Sequence, residues 1–232
     1  MSFWEKLPAT DKPEYFVFAD QRNLLGIPHF GDVVSNIAFF LVGAYALFFL
    51  LKKQKNFYTV CGILIAVSSA LIAIGSTYFH WEPNSQTLFW DRLPMSVAFS
   101  TVMAMIIGDR SQEKFGWWTL LTLVPLGILT VIGWNQGWLT LRPYILLQYG
   151  SILAVFIIAL ASKKKGEIPT RSIFASLGLY VTAKIFESND LTFFELTGLI
   201  ISGHTIKHLL AAIAIYKILD YMNWRRAEKE LV

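Results

Sequence analysis

Four histidines interrupt a largely apolar chain of 232 residues: His29, His80, His204 and His208. His204 and His208 are spaced i and i+4, which puts both imidazoles on one face of a helix. Ser76 and His80 share that spacing, and Asp91 follows His80 after ten intervening residues. His29 precedes the first apolar run and reads as a loop residue. Two imidazoles one turn apart can ligate one ion. A third, His80, brought in from another helix makes a set that suits zinc and leaves a fourth position for water. Zinc would lower the pKa of that water toward about 7. Asp91 beside it can take or orient the proton, and the Ser76 hydroxyl can hydrogen-bond the water or an oxyanion. Paired histidines also ligate haem or bridge helices by hydrogen bonds. Spacing alone leaves the three readings open.

The elements that must position these groups are written in the charge pattern. Apolar residues make up 55% of the chain and charged residues 16%, and mean hydropathy is +0.50. A soluble globule of this size has too much exterior to hide that apolar surface. The same composition excludes a disordered chain, and the lone Cys61 excludes a disulfide scaffold. Five runs hold no Asp, Glu, Lys or Arg: Val33–Leu51, Phe57–Phe79, Leu93–Gly108, Phe115–Leu141 and Pro143–Ser162. A helix crosses a bilayer with about 20 apolar residues. Ser172–Phe186, broken by Lys184, and Leu196–Tyr221, broken by His204, Lys207, His208, Lys217 and Asp220, add two weaker spans. The expectation is an all-α membrane protein, one seven-helix transmembrane bundle over 1–232. Its helices fall near 33–51, 57–80, 88–108, 115–135, 143–162, 171–187 and 200–221, after a polar segment 1–32. No apolar h-region opens that segment, so no cleavable signal peptide is expected and the first helix acts as the insertion signal.

Loop charges set the orientation. Thirteen basic residues fall on one side: Lys52, Lys53, Lys55, Arg110, Lys114, Lys163, Lys164, Lys165, Arg171, Lys217, Arg225, Arg226 and Lys229. Six fall on the other: Lys6, Lys12, Arg22, Arg92, Arg142 and Lys184. The richer side is cytoplasmic, which puts the N-terminus outside, the C-terminus inside, and requires an odd number of spans. The basic excess therefore signals topology, and no nucleic-acid partner is expected. In this frame His80, Asp91, His204 and His208 come from three helices into one outer leaflet, where ionisable groups are rare and usually functional.

Other polar residues have simpler readings. Tyr149, on the fifth helix, could donate to a developing oxyanion, although aromatic residues in bundles mostly pack. Lys207 points off the face shared by His204 and His208 and is read as structural, with Glu187, Asp190 or Glu195 as partner. Lys184 and Glu187 are spaced to pair. Arg92 sits at the outer interface, reaching headgroups or holding a carboxylate. Trp117, Trp118, Trp134 and Trp138 flank the fourth helix as belt residues do. Pro94, Pro125 and Pro143 kink or start helices.

Ser76-Thr77-Tyr78-Phe79-His80, then Asp91, then His204-Thr205-Ile206-Lys207-His208 resembles the alkaline ceramidase branch of the CREST superfamily. That superfamily of seven-helix membrane hydrolases also includes adiponectin-receptor-like proteins and lipid-remodelling factors of GPI anchors. Its pattern is a serine and histidine on the second helix, an aspartate on the third and an HxxxH pair on the seventh. Ser35-Asn36 resembles a further family feature. The resemblance implies zinc (Zn2+) bound by His80, His204 and His208 with a water, and Asp91 and Ser76 beside it. It implies hydrolysis of the amide of ceramide or a related N-acyl lipid to fatty acid and amine. Eukaryotic relatives carry an acidic calcium-binding segment before the first helix. Here Asp20-Gln21-Arg22-Asn23 is shorter and carries an arginine, a departure from that pattern. The compact chain resembles bacterial members, which implies the cytoplasmic (inner) membrane with the site toward the outer side.

Two functions of different class follow. One is a zinc-dependent lipid amidase. The alternative is a non-enzymatic receptor or lipid-binding protein with a structural zinc. Asp91 and Ser76 suit a water-activating site better than a closed structural one, which favours the enzyme. The orientation is testable with a reporter fused after Val232. It is expected to report from the cytoplasm, and an external signal would overturn the odd span count.

Overall fold

The computed structural model describes residues 16–162 and 166–229, with side chains of the last helix described as far as 220. The first half of the polar N-terminal segment, Lys6 and Lys12 included, lies outside the described residues. So do Lys163, Lys164 and Lys165, and the side chains of Arg225, Arg226 and Lys229.

The helices are α1 (Phe30–Ser35), α2 (Ile37–Leu50), α3 (Phe57–Trp81), α4 (Ser85–Arg110) and α5 (Glu113–Asn135), followed by α6 (Arg142–Ala161), α7 (Thr170–Ser188), α8 (Asp190–Leu196) and α9 (Gly203–Lys229). Four stretches are long and apolar enough to cross a membrane: Phe30–Leu50, which joins α1 and α2, together with α3, α5 and α6. This is the pattern of an integral membrane protein. α4, α7 and α9 match them in length but carry the ionisable residues singled out above. Outward faces are apolar, as lipid contact requires: Leu41 and Phe48 on α2, Ile74 on α3, Leu121 on α5 and Leu160 on α6 are all exposed.

Local chemistry explains the boundaries. Asn56 caps α3 by accepting from the Thr59 amide at 3.0 Å. Asn84 and Thr87 form a reciprocal capping box, so α4 starts at Ser85 rather than at the expected 88. Only Glu82–Asn84 separate α3 from α4. Pro143 opens α6, while Pro94 and Pro125 lie inside α4 and α5. The short α8 is not foreseen in the sequence, because its seven residues fall in the charged gap between the last two apolar runs, with Asp190 and Glu195 among them. After it, Gly198 (φ 69°) and Leu199 (φ 63°) turn the chain in the left-handed region, and α9 begins at Gly203, not at 200.

The chain packs α2, α3, α4 and α5 as successive neighbours, α6 lies against α4, and α9 closes the bundle against α7, α2 and α3. Two close approaches decide the geometry near the histidines. A Cβ on Gly75 would lie 2.1 Å from the Trp90 carbonyl oxygen, so only glycine lets α3 and α4 meet beside Ser76 and Asp91. A Cβ on Gly203 would lie 2.2 Å from the Phe186 carbonyl oxygen, which seats the start of α9 on the end of α7. The main core, including Leu50, Phe57, Ile65, Met105 and Leu219, sits at the far end of the bundle. There Asp109 accepts from the amides of Glu167 (2.8 Å) and Ile168 (3.2 Å) and holds the entry to α7. Arg110, counted above as a loop charge, is instead the last residue of α4. It is buried 3.3 Å from Asp109 and donates to the Ile168 carbonyl.

At the near end, residues 16–29 form a strap across α3 and α9. Asp20 is fully buried and accepts from Arg22 Nε and Nη2, each at 2.7 Å, and from the Gly31 amide at 2.8 Å. Arg22 Nη2 also donates to the Ile200 carbonyl at 2.9 Å, which ties the strap to the turn before α9. Burial would by itself raise the Asp20 carboxyl, but the Arg22 side chain and the two backbone amides outweigh it and hold it below its ordinary 3.8. A carboxyl lowered on folding stabilises the strap above its unfolded value, and that stability is lost as pH falls through the folded value. Amide protection at Gly31 is therefore expected to be level from pH 7 to 5 and to fall below about pH 3.8. Asp20→Asn is expected to lose about tenfold protection already at pH 7, the scale of a charge-assisted hydrogen bond. Equal protection in both proteins at pH 7 would overturn this role.

Candidate metal centre

His80 closes α3 one residue from its end, and His204 and His208 rise from the first turns of α9. Ring centroids are 4.6 Å apart for His80 and His204, 5.0 Å for His80 and His208, and 4.8 Å for His204 and His208. One nitrogen from each ring lies within 4.8 Å of those of the others, so the three could hold a metal ion.

The hydrogen bonds around the rings decide what each nitrogen offers. His208 Nδ1 lies 2.8 Å from Ser35 Oγ, and Ser35 Oγ donates to the Asp32 carbonyl at 3.1 Å. The hydroxyl has one proton, so His208 Nδ1–H is the donor to Ser35. Its Nε2 then carries a lone pair, is buried and has no hydrogen-bond partner. His80 Nδ1 is likewise buried without a partner. A buried nitrogen with no partner costs about 1–3 kcal/mol, and two of them in one cluster of rings fit a site for a metal ion. The third ring differs. His204 Nε2 accepts from Lys207 Nζ at 2.8 Å, while its backbone amide donates to Asp190 Oδ1 at 2.7 Å.

The surroundings fix these rings. Asp32 Oδ1 accepts from Ser202 Oγ and Thr205 Oγ1, both at 2.7 Å, and binds α1 to the start of α9. The Asp190 second oxygen accepts from the Ala19 amide at 2.9 Å, so one carboxylate holds both the strap and the first turn of α9. Phe18 caps the cluster, its ring 4.4 Å from His80 and 5.3 Å from His204. His29 stays outside the cluster, as expected, but has work of its own. Its Nδ1–H donates to the His80 carbonyl at 2.7 Å, from a left-handed φ of 44°.

Asp91 and Ser76 lie on facing sides of the α3–α4 contact made by Gly75. The Ser76 side chain lies within hydrogen-bonding reach of the Asp91 carboxylate. Both line a cavity of about 830 Å³ together with the three histidines. Its walls run on to Ile65 and Ile218 and are mostly apolar. From His80 to Ile65 and from His208 to Ile218 is fifteen and ten residues of helix, or roughly 22 and 15 Å at 1.5 Å per residue. Tyr149 lies on the wall of this cavity, half-exposed, on a helix that carries none of the histidines.

Several neighbouring expectations change. Lys207 does not point away from the histidines, since at i+3 its amine reaches back to His204. Of its three possible partners the structure provides Glu187, at 3.2 Å, and Lys184 pairs with the same carboxylate. Arg92 stacks over the rings of Trp134 (5.0 Å) and Tyr144 (5.5 Å). Trp117 is partly buried and packs on Phe57 at 5.2 Å, whereas Trp118 and Trp138 stay exposed as belt residues would. Phe18, Asp32 and Asp190 carry no signal in the sequence for their place at the centre, because they are set there by contacts far apart along the chain, such as Asp32 to Thr205 across 173 residues.

A search of curated proteins returned no match. A family model described as Ceramidase matches residues 27–231, a stretch that takes in the three histidines, Ser76, Asp91 and Ser35. With that match over nearly its whole length, the chain belongs to the ceramidase family.

Proposed function

We propose that this chain is a seven-span membrane amidase that uses zinc to cleave ceramide or a related N-acyl lipid, with the N-terminus and the site toward the outer side of a bacterial inner membrane. Family membership implies an amide-bond hydrolase and a lipid substrate. The observation that carries the finer reading is the trio of inward-facing imidazoles at one end of an apolar cavity, with a carboxylate on the same wall. His80, His204 and His208 would hold the ion. Zinc there would supply a Lewis acid and acidify water toward about pKa 7. The span count rests on α4, α7 and α9 crossing beside the four apolar stretches, as three helices whose polar groups face inward can.

The side chains divide the remaining work. The cavity takes the acyl chain toward Ile65 and Ile218 and leaves the amide at the histidines. Asp91 accepts the proton of the attacking water and delivers it to the amine nitrogen as the C–N bond breaks. Ser76 holds the Asp91 carboxylate at the angle this transfer needs. The Tyr149 hydroxyl donates to the carbonyl oxygen as it gains charge. Ser35 fixes the His208 ring through its far nitrogen, a support whose loss commonly costs 10–100-fold in metal affinity. Phe18 and the strap exclude bulk water. A structural zinc in a receptor is the weaker reading, since closed structural sites take four protein ligands and the group has three among the described residues.

The decisive pair of variants is Asp91→Asn and His208→Ala, each measured for zinc content and amide hydrolysis. Asp91→Asn is expected to keep its zinc and lose about a hundredfold or more in rate, the usual scale for a general acid–base group. His208→Ala is expected to lose both. Full activity in Asp91→Asn, or full zinc in His208→Ala, would remove the respective role.

A further inference from the structure

One cluster on the cavity wall has no part in the proposed hydrolysis, although its Lys207 touches His204 of the histidine centre. Lys184 and Glu187 on α7 and Lys207 on α9 all line the cavity at its histidine end. Glu187 is shared. Its Oε1 lies 3.2 Å from Lys207 Nζ and its Oε2 bonds Lys184 Nζ. With the Lys207 contact to His204 Nε2, the groups form a row that leads from the histidines to α7. Around Glu187, two ammonium groups flank one carboxylate. Asp190, the next carboxylate on that side, is taken up by the amides of Ala19 and His204. Each ammonium has three donors, and the side chains of Lys184 and Lys207 keep 34% and 21% of their surface accessible. Charges at membrane depth are rarely retained without use, and an anionic group on the lipid would engage both ammonium groups.

We propose that Lys184 and Lys207 form a headgroup subsite for an oxyanion, so that the preferred substrate is an N-acyl lipid bearing a phosphate or carboxylate on its amine side. This rests on the amide-hydrolase reading and names the substrate class for it. The acyl chain occupies the apolar end, the amide meets the histidines, and the anionic group accepts from both ammonium groups at the wall where they share Glu187. Charge-assisted hydrogen bonds of this kind are roughly twice as strong as neutral ones.

The test uses the full-length, metal-loaded protein in uncharged detergent micelles, where surface charge does not concentrate anionic lipids. N-palmitoyl sphingosine and its 1-phosphate are compared for kcat/KM and for equilibrium binding. The phosphorylated lipid is expected to be favoured about tenfold or more, the scale of a hydrogen bond to a charged group. Lys184→Met is expected to lose most of that ratio and Lys184→Arg to keep it, with thermal unfolding in detergent reporting whether each variant folds. If both lipids are cleaved equally well, the subsite is wrong and the amidase stands. If neither is cleaved but the phosphorylated lipid binds more tightly in a Lys184-dependent way, the subsite stands and the amidase reading fails. Equal binding without cleavage removes both. Displacement of the lipid by inorganic phosphate at equal concentration would make the ligand a free anion and overturn the headgroup assignment.

Discussion

Two imidazole nitrogens, His80 Nδ1 and His208 Nε2, sit buried with no hydrogen-bond partner, and much of the near end of the molecule is arranged to keep them so. In a low-dielectric interior an unpaired polar atom is unfavourable. It persists only where neighbours prevent the ring from turning to find a partner. Ser35 pins His208 from behind, the His80 backbone is held by His29, and Phe18 covers the rings. Gly75 and Gly203 remove the side chains that would keep α3, α4, α7 and α9 apart. The rings thus converge because the helices can approach, and the helices approach because two positions have no Cβ.

The same constraint explains an unevenness among the long helices. The stretches that meet the apolar length for a bilayer supply mostly walls and lipid-facing surface, although α3 also brings Ser76 and His80. The helices that fall short of it, α4, α7 and α9, supply Asp91, Lys184, Glu187, His204, Lys207 and His208. A helix loses apolar character where it faces a working cavity, since polar groups there find partners within the bundle instead of lipid. At the far end the polarity of α4 serves a different purpose. Asp109 and Arg110 clamp the entry to α7, which sets where Lys184 and Glu187 arrive.

What the sequence revealed divides along the range of the contacts. The HxxxH pair is legible because both residues lie on one helix, and Ser76, His80 and Asp91 because a three-residue turn joins their helices. The all-helical class and the long apolar stretches follow from composition and run length. Ser35 could be singled out by resemblance, but its contact with His208 spans 173 residues and nothing local marks that pairing. Asp190 could be foreseen as an acid near Lys207 but not as the acceptor for the His204 amide. Arg110 misleads because charge counting treats any arginine at a helix end as exposed, while a neighbouring Asp109 gives it a buried partner. Lys207 misleads because a helical wheel places its Cβ off the histidine face, yet a four-carbon side chain reaches back one turn.

The central claim is that three imidazoles make one metal centre. X-ray absorption at the zinc edge of the purified protein tests it most directly. The account predicts a four-coordinate ion with three imidazole nitrogens at roughly 2.0–2.1 Å and one further light-atom ligand, the pattern of an open zinc site. Scattering from sulfur, or a zinc shell unchanged by His208→Ala, would contradict it.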